Sequence, residues 1–423
     1  MIMERTRYIL LPWLCLFALH TSAQTMSLGM VLDSITAHHP ALLMADADIK
    51  AMDAEAKGAR NWMPTQLGTG FNMTPYDAST WQKGANGMNG MGSYMFSIQQ
   101  MFPKAGQLNA NADYMGRLAS VGREDSVSTL ADLRAQAEVS YNAWLVGLKK
   151  LEVLRKDKAL LQAMVVNAEQ RYRDGSSALG AYYKATAAVG EADRMISVVS
   201  AGIDQQRIAL NTLMARDPLL VFTIDTTYVI RDYATQPLDT AAFNADRSDL
   251  RAIDRRIGIA AAQADLARTD LKPDFGLRYD HMIGFGGSYD MFNLMAMVSV
   301  PLPWSTRSAK ARATGFELRG QALREQKVMK RNELMGAAHQ LLAELKAGRE
   351  QMDLYANVII PGAQRNLDAV RLGYAQQTDD LFTYYDAWET VYSAELARLD
   401  RLLEILNAQA RLERVLQINS ATP

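Results

Sequence analysis

Cysteine is all but missing from this chain: Cys15 is the only one, and it lies inside an apolar run near the N-terminus. Disulfides and thiol chemistry are therefore excluded from everything that follows that run. Histidine is almost as scarce, with five residues. His38 and His39 are adjacent instead of four apart, so they suit a solvated helix end better than a ligand pair. No nucleophile with a base beside it, no phosphate loop and no metal-ligand spacing occurs, so neither an enzyme nor a resident cofactor or metal is expected. Charge excess is missing too. With 45 basic against 46 acidic residues the chain has no electrostatic reason to bind nucleic acid. Twelve prolines in 423 residues leave little to interrupt long helices.

Long apolar runs are absent beyond the start of the chain, which excludes a membrane-spanning helix there. At the start, Arg5 and Arg7 precede an apolar stretch from Tyr8 to Leu19, followed by small residues at Thr21 and Ala23. The stretch is shorter than the roughly 20 residues a span requires, so residues 1–23 are expected to be a secretory signal peptide. Cys15 follows Pro12-Trp13-Leu14 without the small residue of a lipoprotein cleavage site, so lipidation is not expected.

What the chain does contain is a phrase used twice. Tyr172-Arg-Asp-Gly175-Ser-Ser-Ala-Leu179-Gly-Ala-Tyr182-Tyr183-Lys-Ala185 returns as Tyr374-Ala-Gln-Gln377-Thr-Asp-Asp-Leu381-Phe-Thr-Tyr384-Tyr385-Asp-Ala387, at an offset of 202. The same offset carries Val189, Ala192, Ile203 and Leu210 onto Val391, Ala394, Ile405 and Leu412. Helical periodicity flanks both copies, so each phrase marks a turn between two long helices, and the chain is an internal duplication.

The parts of each repeat follow from their periods. Residues 28 to 62 space their apolar positions as a helix and stop before Pro64. Leu67, Thr69, Phe71 and Met73 then alternate with polar or small residues, as do Tyr94, Phe96 and Ile98 after a Gly-rich loop; both stretches predict strands of one hairpin. Beyond Pro103 a heptad pattern runs through Leu133, Ala137, Ser140, Trp144, Gly147, Leu151 and Leu154 to Tyr172, the signature of a surface packed along its whole length. The second half repeats this order: a helix to Leu271, strands around Phe275–Tyr279 and Leu294–Val300, a long helix, the phrase and a return helix. A β-prone piece at Val221 to Val229 lies between the halves. The expected division is a signal peptide at 1–23, a first repeat at 24–216, a linker at 217–244, a second repeat at 245–417 and a tail at 418–423.

Four amphipathic strands in one chain cannot close a membrane-spanning sheet, whose backbone groups all need partners, so several copies must pool their hairpins. Taken together, the signal peptide and two copies of helix, hairpin, long helix, turn and return helix resemble the TolC-like outer membrane factors of tripartite efflux and type I secretion systems. The resemblance covers essentially the whole mature chain. It implies a mostly α fold with a small β part, in which duplicated helical hairpins of three protomers form a trimeric α-barrel and their strands share a twelve-stranded transmembrane β-barrel. It also implies an exit duct in the outer membrane of a Gram-negative bacterium, seated in outer membrane lipid, with a large periplasmic extension, a periplasmic adaptor and an inner-membrane pump.

Carried over by residue, the resemblance makes Gly175, Ser176, Ser177 and Leu179, with Gln377, Thr378, Asp379 and Leu381, the tips that meet the adaptor. Gln377 stands where the first copy has glycine. Asp386 matches an inward aspartate of the family's aperture, and Thr383 stands where a second aspartate can occur. Gln100 to Leu108 is similar to the segment after the first hairpin in the heavy-metal efflux branch. Methionine is abundant, with 23 residues, and gathers at Met88, Met91, Met95 and Met101 and at Met282, Met291, Met295 and Met297. Thioethers suit Cu(I), though methionine is also a filler of apolar surface. Pro361, with Gly362 beside it, is expected to kink the helix leading to the second turn. The alternative reading is a periplasmic helical-hairpin adaptor, which has one helical hairpin between β-rich modules where this chain has two hairpins and four amphipathic strands.

Overall fold

The computed structural model describes residues 25–175, 178–233 and 247–417. The expected signal peptide, the later part of the linker from 234 on, the tail, Ser176 and Ser177 lie outside them. The chain opens with β1 (Thr25–Met26), α1 (Leu28–His38) and α2 (Pro40–Lys57). The sequence suggested one helix here, and Pro40 divides it. A residue before proline is pushed out of the helical region, and His39 takes ψ 125° while its Nδ1 accepts the amide of Ala41 at 3.2 Å. The histidine pair is therefore a helix junction.

Next come β2 (Gln66–Asn72) and β3 (Ser93–Phe102), joined by a loop with one 3₁₀ turn. The first long helix, α3 (Gln107–Arg173), has 67 residues and so runs on the order of 100 Å. It turns at Gly175 into α4 (Leu179–Leu213). Of the β-prone piece only β4 (Thr223–Ile224) forms, pairing in parallel with β1. The second repeat supplies α5 (Ser248–Thr269), β5 (Asp274–Gly284), β6 (Met291–Ser299), α6 (Arg307–Leu354), α7 (Ile360–Ala375) and α8 (Leu381–Leu416).

At mid-length the two repeats close on one core. Val31, Leu32, Ile35, Trp144, Leu210, Phe222, Leu402 and Leu406 pack there, and Tyr141 donates from its hydroxyl to the carbonyl of Asp225 at 2.8 Å, tying the short β1–β4 pair to α3. Heptad seams continue from this core along both hairpins. Each seam carries one glycine that lets the helices touch: a Cβ added at Gly147 would lie 2.9 Å from Cγ1 of Ile203, and one at Gly348 would lie 2.7 Å from Cγ1 of Ile405.

Those two contacts expose a slip in the repeat. Ile203 and Ile405 are 202 apart, but Gly147 and Gly348 are 201 apart, as are the buried pairs Ala137 and Ala338, Ser140 and Leu341, and Trp144 and Leu345. Copy two thus gains one residue between Gly348 and Tyr374. The structure places it in a π-helical turn, Tyr355–Ile359, where the amide of Ile360 reaches back five residues to the carbonyl of Tyr355. A π-turn is how a helix absorbs a single inserted residue. Pro361 follows directly, so the feature expected to be a proline kink is an insertion bulge, whose wide turn leaves room for the proline ring.

Candidate channel wall and hairpin tips

The four long strands form one antiparallel sheet in the order β2-β3-β5-β6, so the hairpins of the two repeats join edge to edge, from Ser93 opposite Gly284 to Phe102 opposite Phe275. Register then sorts the side chains. Leu67, Phe71, Phe96, Ile98, Phe275, Leu277, Tyr279, Ile283, Phe292, Leu294 and Val298 share one face and are exposed in the protomer. The other face carries Gln66, Asn72, Ser97, Gln99, Arg278, Asp280, Asn293 and Ser299. An aliphatic and aromatic face backed by a polar one is the composition of a barrel wall between lipid and lumen. On the polar face Arg278 donates to Asp280 at 2.8 Å. At the loop end Phe71, Trp81 and Phe285 stack, and the amide of Gly90 bonds the carbonyl of Gly286 at 3.0 Å, fastening the long β2–β3 loop over the β5–β6 turn.

At the opposite end are the two turns. Gly175 has φ 73°, and Gln377, its equivalent, adopts the same left-handed conformation at φ 64°. The second tip is a complete helix-ending motif, with the amide of Gln377 on the carbonyl of Tyr374 at 3.3 Å and that of Thr378 on Gly373 at 2.9 Å. The departure from glycine is one of residue type only; the left-handed backbone at this position is kept. Gly175, Leu179, Gln377 and Thr378 are exposed, Asp379 is half-buried, and Leu381 is buried in the core that the two hairpins share, with Met164 and Ala181 of the first.

Just beyond, Asp380 caps α8, accepting the amide and the hydroxyl of Thr383, each at 2.8 Å. These two bonds hold its carboxyl below the ordinary range. Thr383 is thereby committed to the cap. Asp386 is exposed, and among the described residues it makes no ion pair.

One residue near the tips escaped sequence reasoning. Asp157 is buried between α3 and α8, where its Oδ1 accepts from the indole of Trp388 at 3.3 Å while Oδ2 has no partner among the described residues. Desolvation pushes its carboxyl up to about 6, with Glu395 adding to the shift and the Trp388 bond opposing it. Heptad spacing singles out Lys158 beside it, and nothing in the periodicity marks a carboxylate as buried. Of the tip tyrosines, Tyr374 and Tyr384 are buried and stacked, their centroids 5.4 Å apart, as packing residues should be.

Residues 31–216 match the outer membrane efflux protein family. No curated protein matches the chain by sequence. Its fold is that of solved channels across both repeats. VceC from Vibrio cholerae aligns with a TM-score of 0.75 and 17% identity, over 92% of this chain and 95% of its own. The open state of MtrE from Neisseria gonorrhoeae gives 0.69 and 16%, over 92% and 88%. CusC gives 0.75 and 15%, over 95% of both, so the heavy-metal branch is one neighbour among several and draws no specific support. The match over the first repeat and the shared fold over both lead to one conclusion: residues 31–216 carry the pattern of the outer membrane efflux proteins, and the chain as a whole has the fold of the TolC-like outer membrane channels.

Proposed function

We propose that three copies of this chain close into one duct, that its hairpin tips receive a periplasmic adaptor joined to an inner-membrane pump, and that Asp386 rings the periplasmic entrance. TolC-like channels form trimers. The observation that carries the reading for this chain is the sheet itself, an amphipathic four-stranded piece whose outer strands β2 and β6 each leave an edge without a partner strand among the described residues. Three such pieces make a twelve-stranded barrel that satisfies those edges. In this reading 24–216 and 245–417 are the two structural repeats, 217–244 is their linker at the girdle of the tunnel, and removal of residues 1–23 gives the mature chain.

Gly175, Ser176, Ser177 and Leu179 of one turn, with Gln377, Thr378, Asp379 and Leu381 of the other, form the adaptor-facing end. Exposed Asp386, one turn past the capped Thr383, meets its symmetry mates across the entrance, where three carboxylates favour cations and resist anions. The test is single-channel recording of the purified protein in planar bilayers. Wild type should conduct as a trimer, and Asp386→Ala should raise conductance and weaken cation preference. A protein recovered only as a soluble monomer, or an Asp386→Ala channel identical to wild type in both quantities, would refute the duct or the ring respectively.

A further inference from the structure

The strands of the sheet hold six methionines: Met95 and Met101 in β3, Met282 in β5, and Met291, Met295 and Met297 in β6. All six fall on the polar face, and the apolar face has none. As a filler of apolar surface, methionine belongs on the other side, where leucine, isoleucine, valine, phenylalanine and tyrosine do that work. A flexible apolar side chain turned toward a lumen needs another reason.

The register groups these residues in two rows. Near the loop end Met95 stands opposite Met282, and Met282 opposite Met291, giving three thioethers on adjacent strands. Asn72 donates its side-chain amide to the Met282 sulfur at 3.0 Å, fixing that chain. Near the helix end, Met101 and Met297 flank Gly276 on either side. There the glycine is a requirement of packing, because an added Cβ would lie 2.4 Å from Sδ of Met101 and 3.3 Å from Cε of Met297. The two thioether chains therefore converge over the gap that Gly276 leaves. Six residues of strand separate the rows, roughly 20 Å of lumen wall. Met295 lies between, opposite Arg278, whose charge is paired with Asp280.

We infer that this methionine face binds soft monovalent metal cations, Cu(I) or Ag(I), on the lumen wall, with Met101 and Met297 over Gly276 as one site and Met95, Met282 and Met291 as a second. Thioethers are soft, uncharged ligands that select Cu(I) over harder ions. Among the described residues no group of three His, Cys, Asp or Glu side chains is placed to hold a metal, so harder divalent ions have no competing cage. His281 belongs to the apolar face and takes no part. Two neutral sites in series hold a cation without trapping it, as conduction requires. The inference rests on the duct reading, since that reading turns the polar face inward.

The test uses the full-length protein in lipid nanodiscs, carrying ¹³C-methyl methionine and titrated with silver nitrate in chloride-free buffer, alongside potassium conductance in planar bilayers. Ag(I) should shift the methyl signals of Met101 and Met297, assigned through single Met→Leu variants, and zinc should not. The volume-conserving pair Met101→Leu and Met297→Leu should weaken Ag(I) binding at that row at least tenfold, and a pair that binds Ag(I) there as wild type does would overturn the site. Barrel methionine signals that ignore Ag(I) in a conducting wild-type channel would overturn the inference and spare the duct. Shifted signals in a protein that does not conduct would overturn the duct alone. Because the wild-type titration decides the matter by itself, a variant that folds poorly leaves the answer intact.

Discussion

The guanidinium of Arg171 lies over the ring of Tyr374, 3.9 Å from its centroid, and its Nη2 donates to the backbone carbonyl of the same tyrosine at 2.8 Å. One side chain of the first hairpin thus holds both the ring and the main chain at the second turn. Tyr374 is 7% exposed, whereas its repeat equivalent Tyr172 is 45% exposed. The asymmetry follows from where the arginine stands.

Removing that clamp should free the second tip. Arg171→Ala is expected to lose about 1–2 kcal/mol of local stability from the cation–π contact and the charged hydrogen bond. Hydrogen exchange of the amides from 374 to 384 should accelerate accordingly, and Arg171→Lys should recover only part of the protection, because an ammonium does not reproduce the planar stack.

Asp157 gives the hairpins a pH response. Its carboxyl sits at about 6 in the fold against an ordinary 3.8, so between those values the folded chain keeps a proton that the unfolded chain has lost. Stability should therefore fall as pH rises from about 4 to 6 and level off above. Asp157→Asn should flatten that dependence and raise the melting temperature at pH 7, as thermal unfolding across the window can check.

Gln377 holds a backbone conformation that glycine adopts without strain. A left-handed residue with a Cβ costs roughly 1–2 kcal/mol, partly offset by the greater entropy that glycine loses on folding. Gln377→Gly should stabilise the turn by up to about 1 kcal/mol. The reciprocal Gly175→Gln should destabilise the first turn by a similar amount, so chemical denaturation of the pair should show opposite signs.

Seam glycines should tolerate nothing larger. Gly348→Ala drives a methyl into Ile405, and an overpacked core of this kind costs typically 1–3 kcal/mol. Ile405→Ala in the same chain should return part of that loss, measured as non-additivity in a double-mutant cycle.

Much of this architecture was legible because long helices and strands write their periods plainly. The alternation at Leu67–Phe71 and Tyr94–Ile98 marks β2 and β3, and the heptads from Leu133 to Tyr172 mark α3. What stayed hidden depended on single residues or on contacts across the chain. Pro40 divides a helix that its apolar spacing runs through. The partner of β4 is a two-residue strand at Thr25–Met26, too short for any period. The burial of Asp157 is decided by α8, more than 200 positions away. A one-residue slip between copies disappears when the repeat is traced only from its turn phrase onward.

The π-turn bears on symmetry. Two identical repeats in each of three protomers would give a tunnel with six equivalent hairpins. Because the stretch from Gly348 to Tyr374 carries one residue more than that from Gly147 to Tyr172, the hairpins of the proposed trimer alternate, one continuous and one bulged at Tyr355–Ile359, and its lower tunnel would have three-fold order only. A partner that meets all six tips therefore faces two kinds of groove, and each of its copies has a phase in which to seat. Deleting Val358 together with Pro361→Ala should erase the distinction, making the two hairpins equal in length and the end of the tunnel nearly six-fold, at the loss of any cue that tells one groove from the next.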